Sequence, residues 1–297
     1  MRHIKLCLIT FSFFSGINLN AQENRILLLQ SHFDLKTENC NKIKFRCLIA
    51  KEIENRQKII EMKFSIPPDT IYEKDGNRYA EFTMEGSNIH DNLNIRTLLE
   101  VQQHDLKQNK KNETSTAQLI SPERFLISEQ YIETDDETIK EKAFQLRKKD
   151  DIKTVENIYK FVKKTIKSND YNPNDIGAKQ ALIDKKGDCT EYTDLFVALC
   201  RACSIPARHI LGYISGPVNV PQHSWAEAYL EGLGWTQFEI SPGNDASFES
   251  TGRAYIYLTD TRRDKNLNYG YYYSYYWWGD NTPTVKNTIN IKEYTKR

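Results

Sequence analysis

Charge of one sign is missing from this chain. Its 41 Lys and Arg stand against 40 Asp and Glu, so no broad field draws it to nucleic acid or to an anionic membrane surface. Beyond the first twenty or so residues no apolar run is long enough to span a bilayer. There is no internal repeat and no calcium-loop pattern. The one Cys-x-x-Cys spacing, Cys200 to Cys203, has only His209 nearby and no second pair, so it reads as helix packing rather than a zinc or redox centre. Neither a metal nor a cofactor is expected.

What is present begins with an address. Arg2 and Lys5 precede an apolar stretch from Ile4 to Ile17, and Leu19-Asn20-Ala21 offers a cut ahead of Gln22. That is the form of a secretory signal peptide over 1–21, with Cys7 too early to carry a lipid. The expected location is periplasmic or extracellular. Such a compartment permits a disulfide, and Cys40 and Cys47 lie close together in a strand-like region, but spacing alone leaves that pairing open.

A length of 297 residues suggests about two domains. From 22 to 131 the pattern is strands and turns, with Asp75-Gly76 between two β-prone runs as a hairpin signal. This half reads as a small all-β sandwich. The polar stretch from Gln102 to Thr116 reads as a solvated loop. From 132 to 297 helices come first. Thr134-Asp135-Asp136-Glu137 has the form of a capping box. Val155, Ile158, Tyr159, Val162 and Ile166 follow helical spacing, and Tyr192 to Cys203 is apolar on most sides, as in a central buried helix. Strands follow over 208–214, 223–230 and 235–240. Helices followed by consecutive strands point to an α+β domain with an antiparallel sheet. A run rich in Tyr and Trp, from Tyr269 to Trp278, closes this half and reads as final strands alternating between core and surface, against a flat platform for glycans or an extended peptide.

Three separated residues carry the chemistry. Cys189 stands at a helix start, where unpaired backbone N–H groups favour a sulfur anion and the amides around it can cradle an oxyanion. His223 opens one strand and Glu239 ends the next. A hairpin loop centred on Glu231 sets 223 and 239 directly opposite, so that Glu239 accepts the Nδ1 proton of His223 and turns the ring toward Cys189. A loop centred between Gly232 and Leu233 instead turns Glu239 away. Thiol, imidazole and carboxylate are the parts of a nucleophilic acyl-transfer site. Trp225, Tyr171 and Trp235 are the candidates for contact with substrate, against packing of the hairpin for the two tryptophans.

These motifs occur in a telling order. Gly187-Asp188-Cys189-Thr190-Glu191-Tyr192 is followed by Leu195-Phe196-Val197-Ala198-Leu199, Ile205-Pro206-Ala207-Arg208 and Gly212-Tyr213. His223-Ser224-Trp225-Ala226-Glu227 and Trp235-Thr236-Gln237-Phe238-Glu239 continue it. From about Thr134 to Gly243 the chain resembles the transglutaminase-like superfamily. The resemblance implies a papain-like fold with Cys189 as nucleophile, His223 as general base and acid, and Glu239 at a third position usually held by aspartate. It implies attack on amide bonds of proteins or peptides through a thioester. Water or a lysine amine can resolve that thioester, and the small β domain ahead of the core favours hydrolysis. The departure at 239 supports a competing expectation: a non-catalytic envelope module that keeps the fold and binds protein or a cell-envelope polymer.

Overall fold

The structure is a computed structural model and describes residues 24–86, 89–111, 122–168, 174–216, 221–243 and 245–294. The signal-peptide segment, Tyr171 and the end of the polar stretch, 112–116, lie outside the described residues. The part of that stretch which is described, Leu106–Lys111, is helical (α1) rather than loop.

The first half supplies β1 (Arg25–Lys36), β2 (Cys40–Leu48), β3 (Gln57–Phe64), β4 (Thr70–Lys74), β5 (Asn77–Glu85) and β6 (His90–Val101). Asp75 and Gly76 both take positive φ, 52° and 79°, as the tight β4–β5 turn requires. After α1 come α2 (Glu137–Leu146), α3 (Asp151–Thr165), β7 (Lys167–Ser168), α4 (Gly177–Asp184), β8 (Lys186–Gly187) and α5 (Cys189–Ala202). The chain then runs through β9 (Ala207–Ile214), β10 (Gln222–Leu230), β11 (Gly234–Phe238), β12 (Tyr255–Thr259), β13 (Tyr273–Gly279) and β14 (Thr284–Tyr294). The fold is α+β, a helix-and-sheet core with a β-sandwich ahead of it. The cap of α2 is Asp136, two residues beyond the Thr134 expected, and its carboxylate accepts from the N–H groups of Thr138 and Ile139.

The sandwich is closed by strands from the far end of the sequence. Its sheets run β14-β1-β6-β3 and β13-β2-β5-β4, and Phe33, Phe45, Phe82, Leu93 and Ile95 form the layer between them. The aromatic-rich strands were expected with the second half of the chain. Their hydrogen bonds go instead to β1 and β2, where each completes one sheet of the sandwich. The Cys40–Cys47 bridge that spacing left open does not form. Both thiols are free and buried on the one strand β2, seven residues or about 23 Å apart.

In the core, α5 lies against the antiparallel sheet β11-β10-β9-β12. Leu195, Phe196, Val197, Ala198 and Leu199 are almost wholly buried, with Ala226, Ala228, Leu230 and Phe238 of the sheet in the same cluster. Cys200 and Cys203 lie in that cluster as packing. The sandwich joins this core at β9 and β12, where Leu27, Leu29, Leu99 and Val101 share a cluster with Tyr213, Ile256 and Leu258.

A buried charge cluster pins this junction. The Glu227 carboxylate on β10 accepts from Arg56 Nη1 at 2.6 Å and from Arg208 Nε and Nη2 at 2.9 and 2.7 Å. Beside it the Gln57 side chain donates to Tyr257 O at 3.0 Å and accepts from Tyr257 N at 2.9 Å, in the manner of an added strand. Burial opposes the charge on Glu227, but the two guanidiniums prevail and hold its pKa down at about 2. The stabilising contribution of Glu227 is therefore complete above its ordinary value near ~4.3 and is lost as pH falls through about 2. Replacing Glu227 by Gln leaves the buried Arg56 without its carboxylate and Arg208 with Asp260 alone, and should cost about 3–5 kcal/mol. Urea unfolding at pH 7 measures that loss, and the gap between the two proteins should narrow below pH ~4.

Candidate active site

Why a cysteine sits on the first turn of α5 is written in the residues around it. Asp188 caps the helix, accepting from Thr190 N at 2.8 Å, and Glu191 folds back to accept from Asp188 N at 2.9 Å. This capping box satisfies the free amides of the first turn reciprocally. It requires glycine at 187: a Cβ there would stand 2.3 Å from Glu191 Cβ. Room for the returning glutamate, rather than a tight turn, is the reason for Gly187. Cys189 occupies the first helical position, half-buried.

His223 opens β10 and is nearly buried, and Glu239, just past β11, is wholly so. The ring donates from Nε2 to Glu239 Oε2 at 2.6 Å and is hydrogen-bonded to the Cys189 thiol. All three expected residues are thus in line, with two corrections. The hairpin pairs Leu230 with Gly234 and Ala226 with Phe238, so its loop is centred on Gly232 rather than Glu231. That shift keeps the faces but sets His223 and Glu239 on a diagonal, where the separation is larger. The ring consequently reaches the acid through Nε2, leaving Nδ1 for the sulfur, the reverse of the expected assignment.

Glu239 has further partners. Tyr255 Oη donates to Oε2 at 2.8 Å, Ser241 N donates to Oε1 at 2.9 Å, and the Ser241 hydroxyl donates to the same oxygen. Burial works against the carboxylate's charge, yet His223, Ser241 and Tyr255 together hold its pKa below the usual range. For His223 burial disfavours the imidazolium, but the Glu239 charge and the bonds to Cys189 and Glu239 overcome it and push the ring up to about 10. The proton on this histidine is therefore held well past neutral pH.

The tryptophans do not open onto a groove. Trp225 is buried edge-on against Tyr255, 5.0 Å between centroids. Trp235 is buried beneath the Arg208 guanidinium at 4.1 Å. Both face the packed side of the hairpin. Two neighbours of the site, Tyr255 and Ser241, lie past the recognised motifs and carried no advance signal. A third, Tyr272 from the aromatic run, donates to Gly212 O at 3.1 Å beside His223. A second imidazole–carboxylate pair, His209 Nδ1 with Asp194 Oδ1 at 2.8 Å, is sealed beneath α5. Arg262 grips the same carboxylate, and burial lowers the pKa of His209. That pair is a structural tie. Among the described residues no group of three or more His, Cys, Asp or Glu is placed to hold a metal, and no helix is long and apolar enough to cross a membrane.

Residues 140–240 match the model of the Transglutaminase-like superfamily. Over nearly its whole length the fold is shared with the crystal structure of a candidate cysteine protease from Cytophaga hutchinsonii. The TM-score is 0.67 at 18% identity, covering 92% of each chain. The periplasmic domain of TgpA from Pseudomonas aeruginosa is also similar, with a TM-score of 0.40 and 14% identity over 69% of this chain and 71% of that one. In sequence, the uncharacterized protein YebA of Bacillus subtilis (strain 168) is 35% identical over 83 residues, or 23% of this chain. That match spans 11% of the length of YebA.

Neutralising Glu239 tests the electrostatics directly. In Glu239→Gln the charge that holds the imidazolium proton is gone and burial is left to oppose it. The His223 titration should fall from about 10 by at least ~2 units. Ring carbon and proton chemical shifts followed from pH 5 to 11 read it.

Proposed function

We propose that the chain is an exported thiol enzyme that attacks amide bonds of proteins or peptides and releases the acyl group to water. The hydrogen-bonded line from the Cys189 thiol through His223 to the buried Glu239 carries this reading. His223 already holds the proton that the sulfur sheds, as an imidazolium backed by Glu239, and the thiolate attacks the carbonyl carbon. As the tetrahedral intermediate collapses, the imidazolium gives that proton to the leaving amine, and a thioester remains on Cys189. Water activated by the same ring then frees the acid. Glu239 keeps the ring oriented and supports its positive charge.

The oxyanion has a natural donor. The capping box engages the N–H groups of Asp188, Thr190 and Glu191, and Tyr192 N donates to Asp188 O. The N–H of Cys189 is the first-turn amide left to face a developing negative charge. Tyr171 lies outside the described residues and keeps the role assigned from sequence, a contact with substrate.

One surface supports the binding-module alternative. Tyr276 and Trp278 of β13 stand exposed beside Lys44 and Lys42 of β2, which pair in turn with Glu81 and Glu85. Asn41, Lys42, Lys44, Thr83, Glu85 and Trp278 line a hollow of about 700 Å³ there. Its mixture of aromatic face and fixed polar groups suits an envelope polymer. The thiol site does not depend on this face, so the two functions are compatible.

Iodoacetamide near neutral pH should modify Cys189 far faster than an ordinary thiol, and His223→Ala should slow it about 100-fold or more. With a protein substrate and a fluorescent amine, the wild type should generate new chain ends and Cys189→Ala none. Amine incorporation would make the protein a transferase. An ordinary labelling rate together with no turnover would leave the binding module.

A further inference from the structure

We infer that Tyr255 and Ser241 are positioning residues that fit a glutamate to this site, so that shortening Glu239 to aspartate is a loss rather than an improvement. The inference rests on the reading of Cys189 and His223 as the reacting pair and concerns how the ring is held.

The pairing of the hairpin creates the need. Carried one residue past Phe238, the β10–β11 register sets Glu239 across from Trp225, not from His223. The acid must cross a diagonal, and an aspartate would fall short by about one C–C bond, ~1.5 Å. A glutamate spans the gap but has one more torsion to fix, and a carboxylate that swings does not orient a ring.

The donor set removes that freedom. Two donors reach each oxygen: His223 Nε2 and Tyr255 Oη on Oε2, and the backbone and hydroxyl of Ser241 on Oε1. A carboxylate has about four acceptor positions, and all are filled. Because the group is wholly buried, no water stands ready to replace a lost donor, so each one matters.

Tyr255 is itself held by residues with no other evident task. Its ring packs edge-on against Trp225, which is sealed from solvent. The Trp225 ring lies where a Cβ on Gly212 would come within 2.7 Å of it, and Ile256 O would be 2.0 Å away. Gly212 faces His223 in the β9–β10 ladder and Tyr257 in the β9–β12 ladder. A bare glycine thus lets β12 approach closely enough for Tyr255 to reach the acid. Trp225, expected to touch substrate, serves as the backstop of this tyrosine. Burial and the Glu239 charge push the Tyr255 hydroxyl well above its ordinary range, so it remains a donor at every working pH.

A double-mutant cycle separates positioning from general packing. Wild type, Tyr255→Phe, Glu239→Asp and the double variant are compared by iodoacetamide labelling of Cys189 at pH 7. Turnover of a peptide substrate and the NMR titration of the His223 ring are measured in parallel, with thermal unfolding to confirm that each protein folds. Tyr255→Phe should slow labelling and kcat about tenfold and leave KM unchanged, and Glu239→Asp should slow both by at least as much. In the aspartate background Tyr255→Phe should change either rate less than about twofold, because the shortened acid no longer meets Oη. The His223 titration should follow the same pattern, moved by Tyr255→Phe beside glutamate and unmoved beside aspartate. Ser241→Ala should behave like Tyr255→Phe, with Ser241→Thr restoring most of the rate. Equal factors in both backgrounds, or a Glu239→Asp protein as fast as wild type, would overturn the inference. An ordinary Cys189 labelling rate combined with persistent coupling in the His223 titration would sink the enzyme reading and leave the clamp standing.

Discussion

A carboxylate sealed from water has to be met by donors, and meeting the one at Glu239 draws four parts of the chain together. β10 brings His223, the turn after β11 brings Ser241, β12 brings Tyr255, and the first turn of α5 ends the line with Cys189. Leaving any of these donors unmade would strand charge in a low-dielectric interior, where the cost is several times that of the same loss at the surface. The site is thus also a condition on the fold. The sheet must curve and β12 must close in for the acid to be tolerated at all.

The helix that presents the sulfur obeys a similar logic. Its capping box consumes three of the amides that a helix start leaves free, and a glycine is needed only because Glu191 returns over it. The turn that carries Cys189 is thereby locked. Its rigidity comes from Asp188, Glu191 and the hydrogen that Gly187 has in place of a Cβ.

Much of this was legible from local pattern. The spacing of Val155, Ile158, Tyr159 and Val162 gave α3 its buried face, and Asp75-Gly76 gave the β4–β5 turn. The order of Cys189, His223 and Glu239 predicted the line between them. Other features had no local trace. The loop centre moved by one residue, from Glu231 to Gly232, because either glycine-containing loop closes the hairpin; the inward faces survived since side chains alternate with a period of two. Trp225 and Trp235 looked like groove residues because their strand alternation is the same whether the covering layer is solvent or another domain. Tyr255 belongs to a β strand whose partner, β9, lies some forty residues earlier, and pairing over that distance leaves no periodic mark.

The return of β13 and β14 is the largest departure from local reading, and it explains why sandwich and core meet so tightly. A chain that begins in the sandwich, builds the core and then completes the sandwich cannot part the two without unzipping sheet edges. The segment that makes the return also passes the Cys189–His223–Glu239 site. Tyr272 donates to Gly212 O, and Tyr271 donates to Asp175, which pairs with Arg262 under α5. The Glu227 cluster fixes the same junction from the other side, with Arg56 from the sandwich and Arg208 from the core sharing one carboxylate. The β10 strand that carries Glu227 also carries His223, four residues earlier on the same face. Docking of the sandwich and placement of the imidazole are therefore set by one strand, and the β domain acts as part of the frame that holds the ring in place.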